Sequence, residues 1–270
     1  MAFVLLRSVD EFQRFLVDYR DKRSSNFPLI GSPWPVLTIV AVYLYIVLKA
    51  GPKYMEQRKA FNLKNIIRAY NVVQVFANGA FFIKIIFLLS QRSNFSFSCQ
   101  PVDYSESKEG LEELYLSYAY FILKVLDLID TVFFVLRKKQ SHVSFLHVYH
   151  HSMMVVVSYL AVIFVPGGHV VMLGIWNTLV HAVMYFYYYL SSYGRQNTEW
   201  WKKHLTRLQL LQFIHLGIHF GIPALFGAEC NFPRFWHWLG FLQAIFVLTM
   251  FLDFYIKSYV TKARKCTKKT

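Results

Sequence analysis

Three histidines stand close together in an apolar stretch near the middle of the chain, within Phe-Leu-His-Val-Tyr-His-His-Ser. His147, His150 and His151 occupy positions i, i+3 and i+4, a spacing that places their imidazoles on one face of an α-helix. Imidazoles serve as nucleophiles, as carriers of protons and as metal ligands. Because polar groups in a membrane-spanning helix cost free energy, they are seldom kept there without a partner or a function. The cluster is therefore the first candidate for a functional site.

Further polar residues interrupt the other apolar stretches. In one of them, steps of three keep Lys124, Asp127 and Asp130 within about one third of the helix circumference. Asn177 and His181 share a face of another helix because they lie four residues apart. The remaining polar residues at comparable positions are Asn71, Gln74, Asn78, Thr131, Thr206, Gln209 and Gln212. Their convergence predicts a buried polar site, although any one of these groups can instead serve only to hydrogen-bond two helices together.

The composition indicates the elements that must position these residues. Of 270 residues, 56% are hydrophobic and 16% are charged, which is typical of a membrane protein rather than a soluble domain. We predict an all-α membrane protein with one polytopic domain over 1–270, in which 1–27 form a luminal arm and 258–270 a basic cytosolic tail. The mixed-charge arm does not resemble a cleavable signal peptide. Seven transmembrane helices are predicted, at 34–48, 66–89, 114–136, 145–165, 170–190, 205–226 and 235–256.

The net charge of +14 is concentrated beside alternate helix ends. Cations cluster at 49–68, 137–139, 195–207 and 257–269, whereas the opposite ends carry few. The positive-inside rule then places the C-terminus in the cytosol and, with seven spans, the N-terminus in the lumen. In this topology the polar residues of five helices lie at one depth, in the cytosolic half of the membrane. Since the charge is explained as a topology signal, nucleic acid is not predicted as a partner.

Four motifs, in order along the chain, resemble those of the ELO family of very-long-chain fatty acid elongases. The resemblance extends over essentially the whole chain. One departure is Asp127, where the family usually carries glutamate; the shorter side chain keeps the charge but has less reach. The matching stretches are 124–131 for KxxExxDT, 147–151 for HxxHH, 177–188 for NxxxHxxMYxYY and 206–213 for TxxQxxQF.

The resemblance implies a very-long-chain 3-oxoacyl-CoA synthase, which condenses a long-chain acyl-CoA with malonyl-CoA and releases carbon dioxide and CoA. It implies His150 as the acyl-accepting nucleophile, with His147 and His151 positioning it or moving protons. A neutral imidazole can attack a thioester and form an acyl-imidazole. Asp127 and Asp130 are expected to fix a ring tautomer or to pair with Lys124. No cofactor is expected.

Other residues are expected to bind the substrates or to stabilise the reaction. His181, Asn177 or another imidazole would stabilise the enolate by hydrogen bonding. Tyr185 and Tyr188 would line an acyl tunnel within the helix bundle, or else pack in the core. Cations near the cytosolic mouth would hold the CoA phosphates, or serve only as topology signals. The full expected substrate-binding set is Arg137, Lys138, Lys139, Lys202, Lys203, Tyr185, Tyr188, Gln209 and Gln212.

The resemblance also implies residence in the endoplasmic reticulum as a multi-pass protein, with the lipid bilayer and other enzymes of the elongation cycle as partners. The tail residues Lys268 and Lys269 resemble a dilysine retrieval signal in an imperfect register. Whether the chain forms a homodimer, and which acyl chains it accepts, are left open.

Three cysteines are present, and the predicted topology separates them. Cys99 and Cys230 fall on the luminal side, where a disulfide is permitted, and Cys266 falls in the reducing cytosol. We predict a Cys99–Cys230 bond, with two free thiols as the alternative. Asn94, in the sequence Asn-Phe-Ser, is a candidate luminal glycosylation site close to the membrane.

Two other classes of protein stay open as alternatives. HxxHH also marks membrane di-iron desaturases and hydroxylases, and the chain has ten histidines, including His215 and His219 in an HxxxH pair. However, that pair lies toward the luminal half in the predicted topology, and no second HxxHH exists. A non-enzymatic seven-helix receptor or transporter is the other alternative, which would bind a ligand without consuming acyl-CoA.

Overall fold

The computed structural model of the protein describes residues 19–194, 198–227 and 231–261. Within these ranges the regular structure is helical, and no strand is present. Seven long helices follow one another in the order α1 (Trp34–Met55), α2 (Lys64–Ser90), α3 (Lys108–Leu136), α4 (Phe145–Phe164), α5 (Val171–Ser191), α6 (Thr198–Phe226) and α7 (Arg234–Tyr255). The predicted all-α class is therefore confirmed.

Six of these helices are long and apolar enough to cross a membrane, and α3 is the one that does not meet the criterion. The N-terminal part of α3 contains Glu109, Glu112 and Glu113. A stretch long enough to cross the membrane that begins after these glutamates still contains Lys124, Asp127 and Asp130. Charge therefore separates α3 from the other six, although its 29 residues are sufficient in length. The predicted span at 114–136, and with it the count of seven spans, stays a prediction.

The chain divides into two compact units, each built from separate stretches of sequence. The first unit comprises 1–60 and 102–170, and so contains α1, α3 and α4. The second comprises 61–101 and 171–270, and so contains α2, α5, α6 and α7. The prediction of one polytopic domain over 1–270 is not tested by this division.

In the first unit, α1 continues beyond the predicted end at residue 48, because a wider, π-type helical turn before Pro52 allows the helix to continue. Pro52 has no amide hydrogen, and in an uninterrupted α-helix its ring would clash with the carbonyl of Leu48. The residues Ile46–Ala50 form a π-type turn, in which the amide of Gly51 donates to the carbonyl of Ile46. A Cβ at Gly51 would lie 2.7 Å from Cγ1 of Val135, so the glycine also allows α1 to approach α3 closely.

The turn after α4 contains two glycines in the left-handed region and a buried carboxylate. Gly167 and Gly168 have φ of 93° and 57°, which glycine adopts at little cost. The amide of Gly168 donates to Oε2 of Glu113 at 3.3 Å, and the side chain of Glu113 occupies the space where a Cβ of Gly167 would lie. Pro166 and these glycines therefore end α4, one residue before the predicted end at 165.

The chain segment before α1 is held by hydrogen bonds to the rest of the first unit. The amide of Asp21 donates to the carbonyl of Ile163 at 2.6 Å, which fixes the segment beside the end of α4. Nη2 of Arg23 donates to Asp21 at 2.6 Å, and Nη1 donates to the carbonyl of Ser105. The hydrogen bond with Asp21 raises the pKa of Arg23 above its ordinary value, so this guanidinium stays charged.

In the second unit, α6 and α7 pack through two glycines, each of which faces a phenylalanine of the other helix. A Cβ at Gly240 would lie 2.6 Å from the ring of Phe220, and one at Gly221 would lie 2.9 Å from the ring of Phe241. Phe220 is fully buried. These two glycines therefore permit close contact between α6 and α7.

Candidate active site

The three clustered histidines lie in the first two turns of α4. The helix begins at Phe145 because Ser144 caps it: its hydroxyl accepts a hydrogen bond from the amide of His147 at 3.2 Å. The ring centroids of His147 and His151 are 4.3 Å apart, and those of His150 and His151 are 5.8 Å apart. The predicted shared face is therefore formed, and the ring of His151 lies against the rings of both other histidines.

An ion pair is buried on the neighbouring helix α3. Nζ of Lys124 donates to Oδ2 of Asp127 at 2.7 Å, and both side chains are 1% exposed. The ammonium also lies 5.0 Å from the ring centroid of Tyr120. The expected pairing of Asp127 with Lys124 is therefore present, and it limits the freedom of both side chains.

Thr131 connects α3 to both other helices of the first unit. Its hydroxyl is 2.9 Å from Nε2 of His147 on α4 and 2.8 Å from the hydroxyl of Tyr43 on α1. The ring of His147 also meets the ring of Phe134 edge-on, with centroids 5.4 Å apart. Sequence analysis did not identify Tyr43, because one tyrosine in an apolar helix gives no signal of its partner. Asp130 is buried near this network.

In the second unit, the predicted polar residues of α5 are buried. Asn177 and His181 are inaccessible to solvent, and the ring of His181 lies 5.7 Å from that of Tyr185. Tyr185 is fully buried and packs edge-on against Tyr70 of α2 and Tyr188. At Tyr185 the aromatic run therefore packs within the unit, which is one of the two expected roles.

A ladder of amides follows one face of α2. Nε2 of Gln74 donates to the hydroxyl of Tyr70 at 2.8 Å, and Nδ2 of Asn78 donates to Oε1 of Gln74 at 3.1 Å. Asn71, Gln74 and Asn78 are all buried. This ladder leads to Tyr70, which joins it to the aromatic residues of α5.

The polar residues of α6 differ in their burial. Thr206 and Gln212 are buried, whereas Gln209 is partly exposed. The hydroxyl of Thr206 donates to the carbonyl of Lys202 in the preceding turn at 2.9 Å. Lys202 and Lys203 are exposed.

The basic residues after α3 end that helix. Lys138 has φ of 55°, and the amide of Lys139 donates to the carbonyl of Phe134 at 2.9 Å, which closes the last turn. Nζ of Lys138 donates to the carbonyl of Glu56 at 3.1 Å. Arg137 is the C-cap residue, so the three cations lie at the negative end of the helix dipole.

The remaining predicted sites lie in or beside the segments that connect the helices. Cys99 is disulfide-bonded, but its predicted partner Cys230 lies outside the described residues, so the pairing stays a prediction. Sγ of Cys99 is 3.8 Å from Nε2 of His237. Asn94 is exposed, as a glycosylation site requires. Across the described ranges, no three or more His, Cys, Asp or Glu side chains are grouped so as to hold a metal ion.

These findings define a class of protein: an all-helical, multi-pass membrane protein with buried histidines, an ion pair and amides in its helices. The chain belongs to the ELO family, also described as the GNS1/SUR4 family, whose model matches residues 28–267.

Curated relatives cover most of the chain. It is 39% identical over 256 residues to very long chain fatty acid elongase 4 of Homo sapiens, covering 94% of this chain and 80% of that protein. Elongase 7 of Rattus norvegicus is 39% identical over 274 residues, covering 99% and 96%. A very long chain fatty acid elongase of Aedes aegypti is 38% identical over 265 residues, covering 97% and 74%. The protein is therefore an enzyme of fatty acid elongation.

Proposed function

We propose that this protein is a very-long-chain 3-oxoacyl-CoA synthase that uses His150 as a nucleophile. The neutral imidazole attacks the thioester carbonyl of a long-chain acyl-CoA, the carbon–sulfur bond breaks, and CoA leaves with a proton. Malonyl-CoA then loses carbon dioxide, and the resulting enolate carbon attacks the acyl carbon. This step breaks the acyl–nitrogen bond and gives a 3-oxoacyl-CoA that is two carbons longer, and a proton taken up from solvent restores the neutral imidazole.

The contiguous imidazoles of α4 are the observation that carries this proposal. Acyl transfer through a nucleophile requires a route by which a proton leaves and returns. The ring of His151 lies against the rings of both His147 and His150, and we propose that the three imidazoles together provide such a route within one helix. The buried Lys124–Asp127 pair supplies fixed charges on the adjacent helix. The relatives named as fatty acid elongases support the same reaction.

Other features of the proposed function rest on sequence. The acyl tunnel, the enolate-stabilising roles of Asn177 and His181, and the binding of CoA phosphates by basic residues stay proposals. The substrates are long-chain acyl-CoA and malonyl-CoA, and no cofactor is required.

We further propose seven spans with a luminal N-terminus and a cytosolic C-terminus, in the endoplasmic reticulum. Membrane-impermeant thiol reagents test this topology on Ser141→Cys and Ser93→Cys, each made without Cys266; both serines are exposed. In intact microsomes we expect Ser141→Cys to be labelled and Ser93→Cys to be protected until the membrane is permeabilised. The reverse pattern would contradict the orientation.

The reaction is tested by supplying membranes that contain the protein with a panel of acyl-CoAs and labelled malonyl-CoA. The wild-type protein should give 3-oxoacyl-CoA two carbons longer, while His150→Ala should lose about 100-fold or more of this activity. His204→Ala, which removes an exposed imidazole packed against Trp200 with ring centroids 4.2 Å apart, is the matched control and should retain activity. Both variants should accumulate to wild-type levels.

The same assay separates the alternatives. A product that depends on iron and oxygen would indicate a desaturase or hydroxylase, and ligand binding without acyl-CoA consumption would indicate a receptor or transporter. Near wild-type condensation by His150→Ala would show that another group is the nucleophile.

A further inference from the structure

Tyr43 lies in α1, outside the four sequence motifs, yet its hydroxyl is connected through Thr131 to His147. Its ring is 4% exposed and packs in the apolar core of the first unit with Val47 and Leu128. Its hydroxyl reaches Thr131 at 2.8 Å, and Thr131 reaches Nε2 of His147 at 2.9 Å. Three helices therefore contribute one group each to a single chain of hydrogen bonds.

Thr131 differs in its hydrogen bonding from other buried threonines of the protein. Thr178 and Thr206 donate to the backbone carbonyl four residues earlier, at 2.8 Å and 2.9 Å, which is the usual local partner of a helical threonine. Thr206 also lies 3.4 Å from the hydroxyl of Tyr259, whereas the hydroxyl of Thr131 lies between two side chains from other helices at 2.8 Å and 2.9 Å. Because Thr131 is completely buried, these contacts determine where its hydroxyl points.

The chemistry of the three groups favours one direction of donation along these hydrogen bonds, from Tyr43 through Thr131 to His147. A phenol is a stronger acid than an aliphatic alcohol, so the Tyr43 hydroxyl is the better donor and Thr131 the better acceptor. With its oxygen accepting from Tyr43, Thr131 has its own hydrogen available for Nε2 of His147. An imidazole that accepts at Nε2 is neutral and holds its proton on Nδ1.

We propose that Tyr43 is a positioning residue for condensation, acting through Thr131 to fix the tautomer and ring orientation of His147. This inference rests on the proposed function. The ring centroid of His147 lies 4.3 Å from that of His151, and the ring of His151 also contacts that of His150. Tyr43 therefore influences the nucleophile through the neighbouring imidazoles. Tyr43 itself contacts neither substrate nor reacting atoms in this proposal. Partners that hold catalytic imidazoles from outside the reacting centre affect the rate rather than substrate affinity.

The test is a double-mutant cycle with Tyr43→Phe and Thr131→Val, each of which removes a hydroxyl and keeps most of the side-chain volume. Both single variants should lower kcat by about 10-fold or more, with KM for acyl-CoA within about twofold of wild type. The double variant should be no slower than Thr131→Val, because the two hydroxyls act as one chain. Tyr159→Phe is the matched control, since it removes another buried tyrosine hydroxyl from the core of the same unit.

Thermal stability of each variant in detergent distinguishes positioning from packing. The proposal would be overturned if Tyr43→Phe reduced stability but left kcat unchanged. It would also be overturned if the losses of kcat in Tyr43→Phe and Thr131→Val multiplied in the double variant. Tyr159→Phe should keep the wild-type kcat, and an equal loss of kcat in that variant would also overturn it. Condensation by the wild-type protein in the same membranes is measured first. Its absence would refute the proposed function, whereas wild-type condensation with an unaffected Tyr43→Phe variant would refute only the role of Tyr43.

Discussion

The Lys124 and Asp127 side chains are each 1% exposed and are joined at 2.7 Å. Removing charges from water is costly, and their mutual attraction offsets this cost only while both partners are present. The ion pair as a whole therefore adds little to the stability of the folded protein. Removing only one partner is strongly destabilising, because the other charge stays buried. Its presence beside the imidazoles suggests that charge, rather than packing alone, is needed at this site.

We predict that Lys124→Met destabilises the protein by about 3–5 kcal/mol, because Asp127 is left as a buried charge without its lysine. Adding Asp127→Leu to this variant should recover most of the stability and none of the condensation activity. The measurement is the temperature at which folded protein is lost in detergent, followed by size-exclusion chromatography. If the double variant were as unstable as Lys124→Met, the unpaired charge of Asp127 would not be the cause of the instability.

Spacing predicted the imidazole cluster because helical periodicity alone places i, i+3 and i+4 on one face. The partners of the cluster required the structure. Tyr43 is one of 18 tyrosines, and Thr131 comes 88 residues later, so only the packing of α1 against α3 brings the two hydroxyls together. The pairing of Lys124 with Asp127 was one of two expected arrangements, which spacing could not separate.

At the scale of helices, the contact between α6 and α7 depends on glycines that leave room for aromatic rings. The space at Gly240 is occupied by Phe220, and the space at Gly221 by Phe241. The buried ring of Phe220 has little freedom to move aside. Added volume at either glycine must therefore separate the helices or displace a ring.

We expect Gly240→Ala to destabilise the protein by about 1–3 kcal/mol, because its methyl group would overlap the ring of Phe220. Gly79→Ala in α2 is the matched control: a Cβ there has nothing within 4 Å, so stability should stay within about 1 kcal/mol of wild type. Thermal unfolding in the same detergent compares the two. Equal stability of both variants would contradict the packing described for α6 and α7.

The sequence predicted the presence of the helices better than the residues at which they end. The apolar stretches predicted all seven long helices, yet α1 was expected to stop at 48 and continues to Met55. Prolines and glycines usually end helices, but the π-type turn at Ile46–Ala50 accommodates Pro52. Such a turn depends on the neighbouring helix α3, which Gly51 approaches closely and which sequence alone does not place.

For the whole molecule, composition and motif order were sufficient to predict a helical membrane enzyme of the ELO family. Sequence did not reveal that the polar residues divide between two units, because each unit joins stretches that are far apart in the chain. The HxxHH cluster and the Lys124–Asp127 pair belong to the first unit, while Asn177, His181 and the α2 amides belong to the second.

The central claim is that acyl transfer passes through His150, and the acyl-enzyme itself tests it most directly. The purified protein is incubated with a long-chain acyl-CoA and no malonyl-CoA, free CoA is quantified, and peptides are mapped by mass spectrometry. We predict about one CoA released per active protein and one acyl group on His150, removed when malonyl-CoA is added. An acyl group on a serine or on Cys266, or no CoA release without malonyl-CoA from a protein that condenses normally, would contradict the account.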